Sequence, residues 1–288
     1  MIAIRNAVGG AVAAKSALIL GAMVGLGALA PVSAADLGGY RGGSLKDDAM
    51  PVLAQSAARF YVRVDGSYAN YDRPALLESG QFDLINSKID TNWSVGGGFG
   101  YYVNKNIRFD VTAEERFKSN VSGTNGDTAN FGTGASRNFS LKSEVYLANL
   151  YYDFDSRGRF TPYIGAGLGV VEHHTSAGTA PNYCANQPSC LGTTDGYGTI
   201  GSGSSSSVAA ALMAGVSINL TGRGLPAGSG ESFAGDAARN LYVDVGYRFL
   251  YLGDVVSGQL QDTINVGNVT ASDVHAHEFR VGLRYDFH

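Results

Sequence analysis

Three small constellations in this 288-residue chain have residue types and spacing that could do chemistry. His174 and Ser176 stand two apart; on a strand such a pair shares a face, and the imidazole could take the hydroxyl proton as a general base. A carboxylate would have to orient that imidazole, and Glu144 and Glu172 are only nominal candidates. His275 and His277 also share a face and would need a third ligand, such as Asp273, to hold a metal ion. Two ligands on one strand define no metal site, so rim histidines in contact with water are the expectation. Cys184 and Cys190 (CANQPSC) are the two cysteines, and Pro188 favours a turn between them. In an oxidising compartment they are expected to form a disulfide, whose short ring would be worth roughly 2–2.5 kcal/mol of loop entropy. No catalytic residue, metal or cofactor is assigned.

The elements that carry these residues follow from composition and pattern. Charged residues make up only 16% of the chain, while glycine accounts for 40 positions, tyrosine for 16 and phenylalanine for 13. Abundant aromatic and β-branched residues argue against disorder, and a net charge of −4 carries no nucleic-acid footprint. At the N-terminus, Arg5 and Lys15 precede the apolar run 16–30, and small residues follow at 32–35. This is the pattern of a secretory signal over 1–34, with cleavage after Ala34 or Ala35. Residues 35–58 then read as a periplasmic extension, with Pro51 and a glycine-rich start opposing a folded domain. No later segment is long and apolar enough for a spanning helix.

From residue 59 the chain alternates, in eight segments at 59–71, 92–103, 107–118, 139–155, 160–175, 205–221, 240–253 and 274–287. Each matches or exceeds the ~9–11 residues a tilted strand needs to cross a bilayer. In the last, Phe279, Val281, Leu283, Tyr285 and Phe287 share one face; Glu278, Arg280, Gly282, Arg284 and Asp286 share the other. A soluble sandwich also alternates. Aromatic residues gathered near the segment ends, and glycines interleaved with charges on the polar face, favour a closed barrel with lipid outside. The connections alternate as well. Tight turns at 104–106 and 155–160 contrast with long stretches at 72–91, 119–138, 176–204 and 254–273, and 222–239 is intermediate. The expected architecture is an all-β, transmembrane, antiparallel up-and-down β-barrel of eight strands over 59–288, with four long outer loops and both termini periplasmic.

Several stretches resemble a known family: Ala35-Asp36-Leu37-Gly38-Gly39-Tyr40, Gly43-Ser44-Leu45-Lys46-Asp47, Tyr151-Tyr152-Asp153-Phe154, the run FTPYIGAGLG from Phe160, and the closing Phe279-Arg280-Val281-Gly282-Leu283-Arg284-Tyr285-Asp286-Phe287. The chain is similar to the opacity-type, OmpA-like outer-membrane barrels of Gram-negative bacteria, in particular the rhizobial "porin family" surface antigens. The resemblance implies eight strands, exposure at the cell surface, and roles in envelope integrity, adhesion or antigenicity. It also implies outer-membrane lipid and lipopolysaccharide as surroundings, the barrel-assembly machinery as a partner, and a host or surface ligand reached through the outer loops. A C-terminal peptidoglycan-binding domain is not expected. Tyr285 and Phe287 would form the assembly signal, although His288 follows where that signal favours a final aromatic. The pair His174-x-Ser176 resembles that of outer-membrane lipid A deacylases, but the surrounding residues of that family are missing.

Alternation points twelve charges inward: Arg63, Asp65, Arg108, Asp110, Glu114, Arg116, Asp244, Arg248, Glu278, Arg280, Arg284 and Asp286. Eight strands enclose a lumen just wide enough for side chains, so these groups are expected to plug it as an ion-pair network. A narrow diffusion path lined by the same charges is the alternative. A lipid A-modifying enzyme is the remote one.

Overall fold

The computed structural model describes residues 60–78, 82–125, 133–154, 159–184, 197–220, 241–261 and 266–287. Twelve antiparallel strand segments occupy them. In chain order they are β1 (Phe60–Tyr71), β2 (Ala75–Glu78), β3 (Phe82–Ile89), β4 (Asn92–Tyr102), β5 (Ile107–Asn125), β6 (Thr133–Asp153), β7 (Phe160–Thr175), β8 (Gly178–Cys184), β9 (Tyr197–Ile200), β10 (Gly203–Asn219), β11 (Leu241–Gln261) and β12 (Val266–Asp286). The signal and extension at 1–58, and the 222–239 connection, lie outside the described residues.

The twelve segments resolve into eight staves. β1 and β2 both pair with β12, and β4 and β3 both pair with β5. Likewise β7 and β8 both pair with β6, and β10 and β9 both pair with β11. Four staves are therefore interrupted by two- or three-residue breaks, at 72–74, 90–91, 176–177 and 201–202. The pairing of β1 with β12, from Tyr61 opposite Asp286 to Tyr71 opposite Ala276, closes the ring.

The register sets the dimensions. From Ser67 one hydrogen-bonded row runs through Ser94, Arg116, Ser143 and His173 to Ser205 on β10. In the other direction it runs through Arg280 and Gly246 to Gly215, on the same strand but 10 residues away. For eight staves that stagger implies a tilt of about 40° and a backbone radius of about 8 Å. Such a cylinder has room for side chains and little else.

Burial alternates along the staves, and the chemistry of the alternation inverts partway up. Take the lower end as the one with the 104–106 turn. There Asn104 Oδ1 accepts the amides of Asn106 and Ile107, both at 2.8 Å, and tightens the reversal. In the lower part the outward residues are apolar: Val62 and Val64 on β1, Ile164 and Leu168 on β7, Leu212 on β10, Val281 and Leu283 on β12. Leu168 and Val208, at 68% and 65% exposed, would be costly in water, and an apolar band of this extent belongs in hydrocarbon. Phe60 to Tyr68 on β1 spans roughly 20 Å of height at this tilt. Aromatic rings border the band, with Phe60, Tyr101, Tyr152 and Phe160 below and Tyr68 and Trp93 above.

Above this band the faces exchange character. On β12 the outward residue changes from Phe279 to His277, while the inward one changes from Glu278 to Ala276, Val274 and Ala271. On β11 the inward series passes from Asp244 and Arg248 to Leu250, Leu252 and Val255. The upper part is thus built like a water-soluble protein, with an apolar, mainly aliphatic core of Leu76, Leu84, Ile89, Val121, Phe139, Leu141, Ile200, Leu260 and Val269. This corrects the expected extent of the outer loops. Much of 72–91, 119–138, 176–204 and 254–273 is strand, because staves that leave the bilayer continue to bury apolar residues inside.

Candidate functional site

The lumen is the place where the sequence puts most of its chemistry. The structure places all twelve inward charges in the interior, each under 9% exposed, and adds Asp153, which the sequence reading left out. Its signal was the same alternation: Phe154, Tyr152 and Leu150 face outward, so Asp153, Tyr151 and Asn149 face inward. With Asp153 the balance in the lower lumen is six basic groups to seven acidic ones.

At mid-height, four charges tie opposite walls together. Arg248 on β11 donates from Nη2 to both carboxylate oxygens of Glu114 on β5, at 2.7 Å each, and from Nε to Glu278 on β12. Three staves lie between β5 and β11 in either direction, so the Arg248–Glu114 pair crosses the full diameter. Arg116 completes the quartet. It donates to Glu278 and, at 3.2 Å, to Glu114, and its other nitrogens donate to the Tyr71 hydroxyl at 3.2 and 2.9 Å. All four groups are buried, where unpaired charge would be costly.

Below the quartet, Arg63 grips Asp65 with two hydrogen bonds, at 2.8 and 2.6 Å, and reaches Asp110 and the Tyr151 hydroxyl at 3.1 Å. Asp110 also accepts from Tyr61 at 2.9 Å and from the Asn149 amide at 2.8 Å. Arg280 lies 3.6 Å from Asp65 and 3.8 Å from Glu114, linking the two layers. Lower still, Arg108 donates to Asp153 at 3.1 Å. Among the described residues its terminal nitrogens have no hydrogen-bond acceptor; its guanidinium lies 4.4 Å from the Tyr151 ring centroid and 5.0 Å from that of Tyr163. Arg284 is similarly set against Tyr242, at 4.6 Å, with Asp286 at 3.6 Å and Asp244 at 3.7 Å.

Glycine supplies the space these groups need. A Cβ on Gly100 would come within 2.1 Å of the Tyr61 ring, and one on Gly282 within 2.2 Å of the Asp65 carboxylate.

The top of the core carries a second cross-lumen tie. Arg137 on β6 donates to the two carboxylate oxygens of Glu78 on β2, at 2.9 and 2.7 Å. Both residues fell in expected loops, so alternation within 59–71 and 139–155 did not reach them. Between the two ties lies His173, fully buried, with Nδ1 bonded to Ser143 Oγ at 2.8 Å and Nε2 to the Leu252 carbonyl at 2.9 Å.

The other candidates fare differently. His174 faces outward on β7, in register with Lys142, whereas Ser176 lies past the strand end and its amide donates to the Ser140 carbonyl at 2.9 Å. The strand that would have aligned them ends at Thr175. The Asp273 carboxylate accepts from the Tyr251 hydroxyl at 3.2 Å; the carboxylate beside His275 and His277 belongs to Asp72. Among the described residues no three His, Cys, Asp or Glu side chains form a group that could hold a metal ion. Cys190 and the side chain of Cys184 lie outside the described residues. Tyr285 and Phe287 face outward near the lower edge, with ring centroids 5.1 Å apart.

Comparison with known proteins places these features in context. Residues 48–287 match the outer membrane protein beta-barrel domain. Curated relatives include uncharacterized proteins of Brucella abortus and Brucella suis, each 28% identical over 218 residues, covering 67% of this chain and 68% of theirs. Among solved structures, Neisserial surface protein A is 21% identical and covers 79% of this chain and 97% of its own, with a TM-score of 0.40. OprG from Pseudomonas aeruginosa is 14% identical and covers 81% and 97%, with a TM-score of 0.43.

Proposed function

The chain belongs to the outer membrane protein beta-barrel domain family and resides in the outer membrane, and from that premise we propose that it is a non-conducting, non-enzymatic surface barrel. In this reading it contributes to envelope integrity and offers its upper rim and loop tips for contacts of the adhesion or antigen kind. The observation that carries the reading is the filled lumen. The Glu114–Arg116–Arg248–Glu278 quartet crosses the barrel, and an aliphatic core capped by Arg137–Glu78 stands above it. An ion would have to break a buried network and then enter hydrocarbon-like packing.

In this reading the short 104–106 turn lies at the periplasmic end, where short turns are usual, and the polar upper part stands outside the cell next to lipopolysaccharide. The upper ring is closed as well, because β2, β3, β8 and β9 all have partners on both sides. A partner therefore meets side chains and loop tips, not a free strand edge.

Single-channel recording of the purified protein in planar bilayers tests the reading. We expect no conductance steps above the lipid baseline. Reproducible steps at the wild-type sequence would overturn it in favour of a narrow diffusion channel for small solutes or ions. Loss of detergent resistance or surface attachment in a deletion strain would support the envelope and contact roles.

A further inference from the structure

The two rim histidines have no part in the lumen, yet their surroundings are specific. Asp72 lies in the break between β1 and β2, and its backbone amide donates to the His275 carbonyl at 3.2 Å. One oxygen of its carboxylate sits 2.9 Å from His275 Nε2 and 3.2 Å from His277 Nε2. The opposite ring nitrogens are also engaged: His275 Nδ1 is 2.7 Å from the Asp273 carbonyl, and His277 Nδ1 contacts the Tyr247 hydroxyl. Phe249 packs against both imidazoles, with ring centroids 5.5 Å away.

This geometry counts protons. Both nitrogens of His275 face groups that can only accept: an ionised carboxylate and a backbone carbonyl. Only the doubly protonated ring can donate to both. His277 can satisfy its contacts in either state, because the Tyr247 hydroxyl can donate or accept. The titratable groups around the pair are Asp72 from the stave break, Tyr247, Tyr251 and Asp254 from β11, and Asp273 from β12. Asp254 accepts the Asp273 amide at 3.0 Å, and Asp273 accepts from Tyr251. Arg73, next to Asp72, is exposed. Among the described residues, carboxylates thus outnumber fixed cations around the imidazoles.

We propose that Asp72, His275 and His277 form a pH-sensitive latch on the outer rim: it holds the β2–β3 hairpin against β12 while the imidazoles are protonated and loosens as they lose their protons. The hairpin is suited to such control, since β2 meets β12 over only four residue pairs, from Glu78 opposite Val269 to Ala75 opposite Ser272. Asp72 spans the break at its base. A His275 ring that has lost a proton leaves one of its two acceptors facing a bare nitrogen, so the latch weakens as pH rises. At the acid end, the hydrogen bond from His277, with lesser help from the charge on both rings, holds the Asp72 carboxyl below the usual carboxylate range. The contribution of that carboxylate is therefore present above the ordinary carboxylate range and is lost only as pH falls through the lowered value. The latch is tightest in mildly acidic medium.

Hydrogen exchange of the full-length protein in phospholipid vesicles tests this, with intrinsic rates corrected for pH. Protection of the β2 amides, relative to those of lower β12, is expected to fall by roughly threefold or more from about pH 6 to about pH 8. His275→Asn should flatten that profile while the barrel still migrates as a folded species on gels. A second readout is the nitrogen NMR spectrum of the imidazoles, which should show both His275 nitrogens protonated near pH 6. Flat protection in the wild type, an unchanged profile in His275→Asn, or a singly protonated His275 would each overturn the proposal. So would protection that follows added zinc or chelator but not pH, since it would identify a metal site instead.

Discussion

Replacing Arg248 with methionine is the sharpest probe of how the lumen is held. The substitution keeps most of the stem but removes three hydrogen bonds: two to Glu114 at 2.7 Å and one to Glu278. Both carboxylates stay buried, and Arg116 must then serve them alone, with Arg280 no closer than 3.8 Å to Glu114. Removing one partner of a buried pair leaves the other charge uncompensated, at a cost of about 3–5 kcal/mol. The double variant Arg248→Met with Glu114→Gln removes the orphan as well as its partner. It should be less destabilised than the sum of the single variants, by about 0.5–3 kcal/mol of coupling. Urea unfolding in phospholipid vesicles reads both quantities, with the single tryptophan, Trp93, on the outer wall as the fluorescent reporter. A single-variant loss under about 1 kcal/mol, or additivity within about 0.5 kcal/mol, would mean that the charges are hydrated and weakly coupled. The lumen would then be open to water and not sealed.

Two further outcomes follow from the faces of the staves. Leu168→Arg, in the middle of the outward apolar band of β7, should cost about 2–4 kcal/mol, whereas Glu172→Arg, two outward positions higher, should cost about 0–1; equal losses in vesicle unfolding would refute the placement of the band edge. Gly100→Ala forces the Tyr61 ring off its contact with Asp110 and should destabilise by about 1–3 kcal/mol, while Gly66→Ala, whose new Cβ would approach nothing closer than 3.9 Å, should change little.

How much of this was legible in the sequence depended on which solvent each face meets. Inside the band the rule is simple, lipid outside and charge inside, and period-two alternation suffices to place Arg63, Asp110 or Arg284. Above the band the rule reverses. Val121 and Val269 are then isolated apolar residues among Ser, Thr, Asn and Gly, which read as loop although they form part of a core. Their strands show only when the partners across the barrel are known. The stave breaks hid in the same way, because a two-residue interruption such as 176–177 resembles the start of a connection. Asp72 could not be matched to His275 and His277 from sequence, being roughly two hundred residues away along the chain. The pairing of His174 with Ser176, and of Asp273 with His275 and His277 as a third ligand, rests on closeness along the chain alone. Local backbone decides both: β7 ends at Thr175, before Ser176, and Asp273 itself adopts a φ of 53°.

The seam between β1 and β12 has a further consequence, for assembly. It joins the first and last staves, so the cylinder cannot shut until the final segment arrives. A slip of two residues along that seam would keep every side chain on its proper face, and the lipid-facing wall would scarcely register the error. The interior would. Glu278 would miss Arg116, and Arg280 would be displaced from Asp65 and Glu114. The charges on β12 thus act as the teeth of a key: they proofread the closing register, which the greasy exterior is too uniform to check.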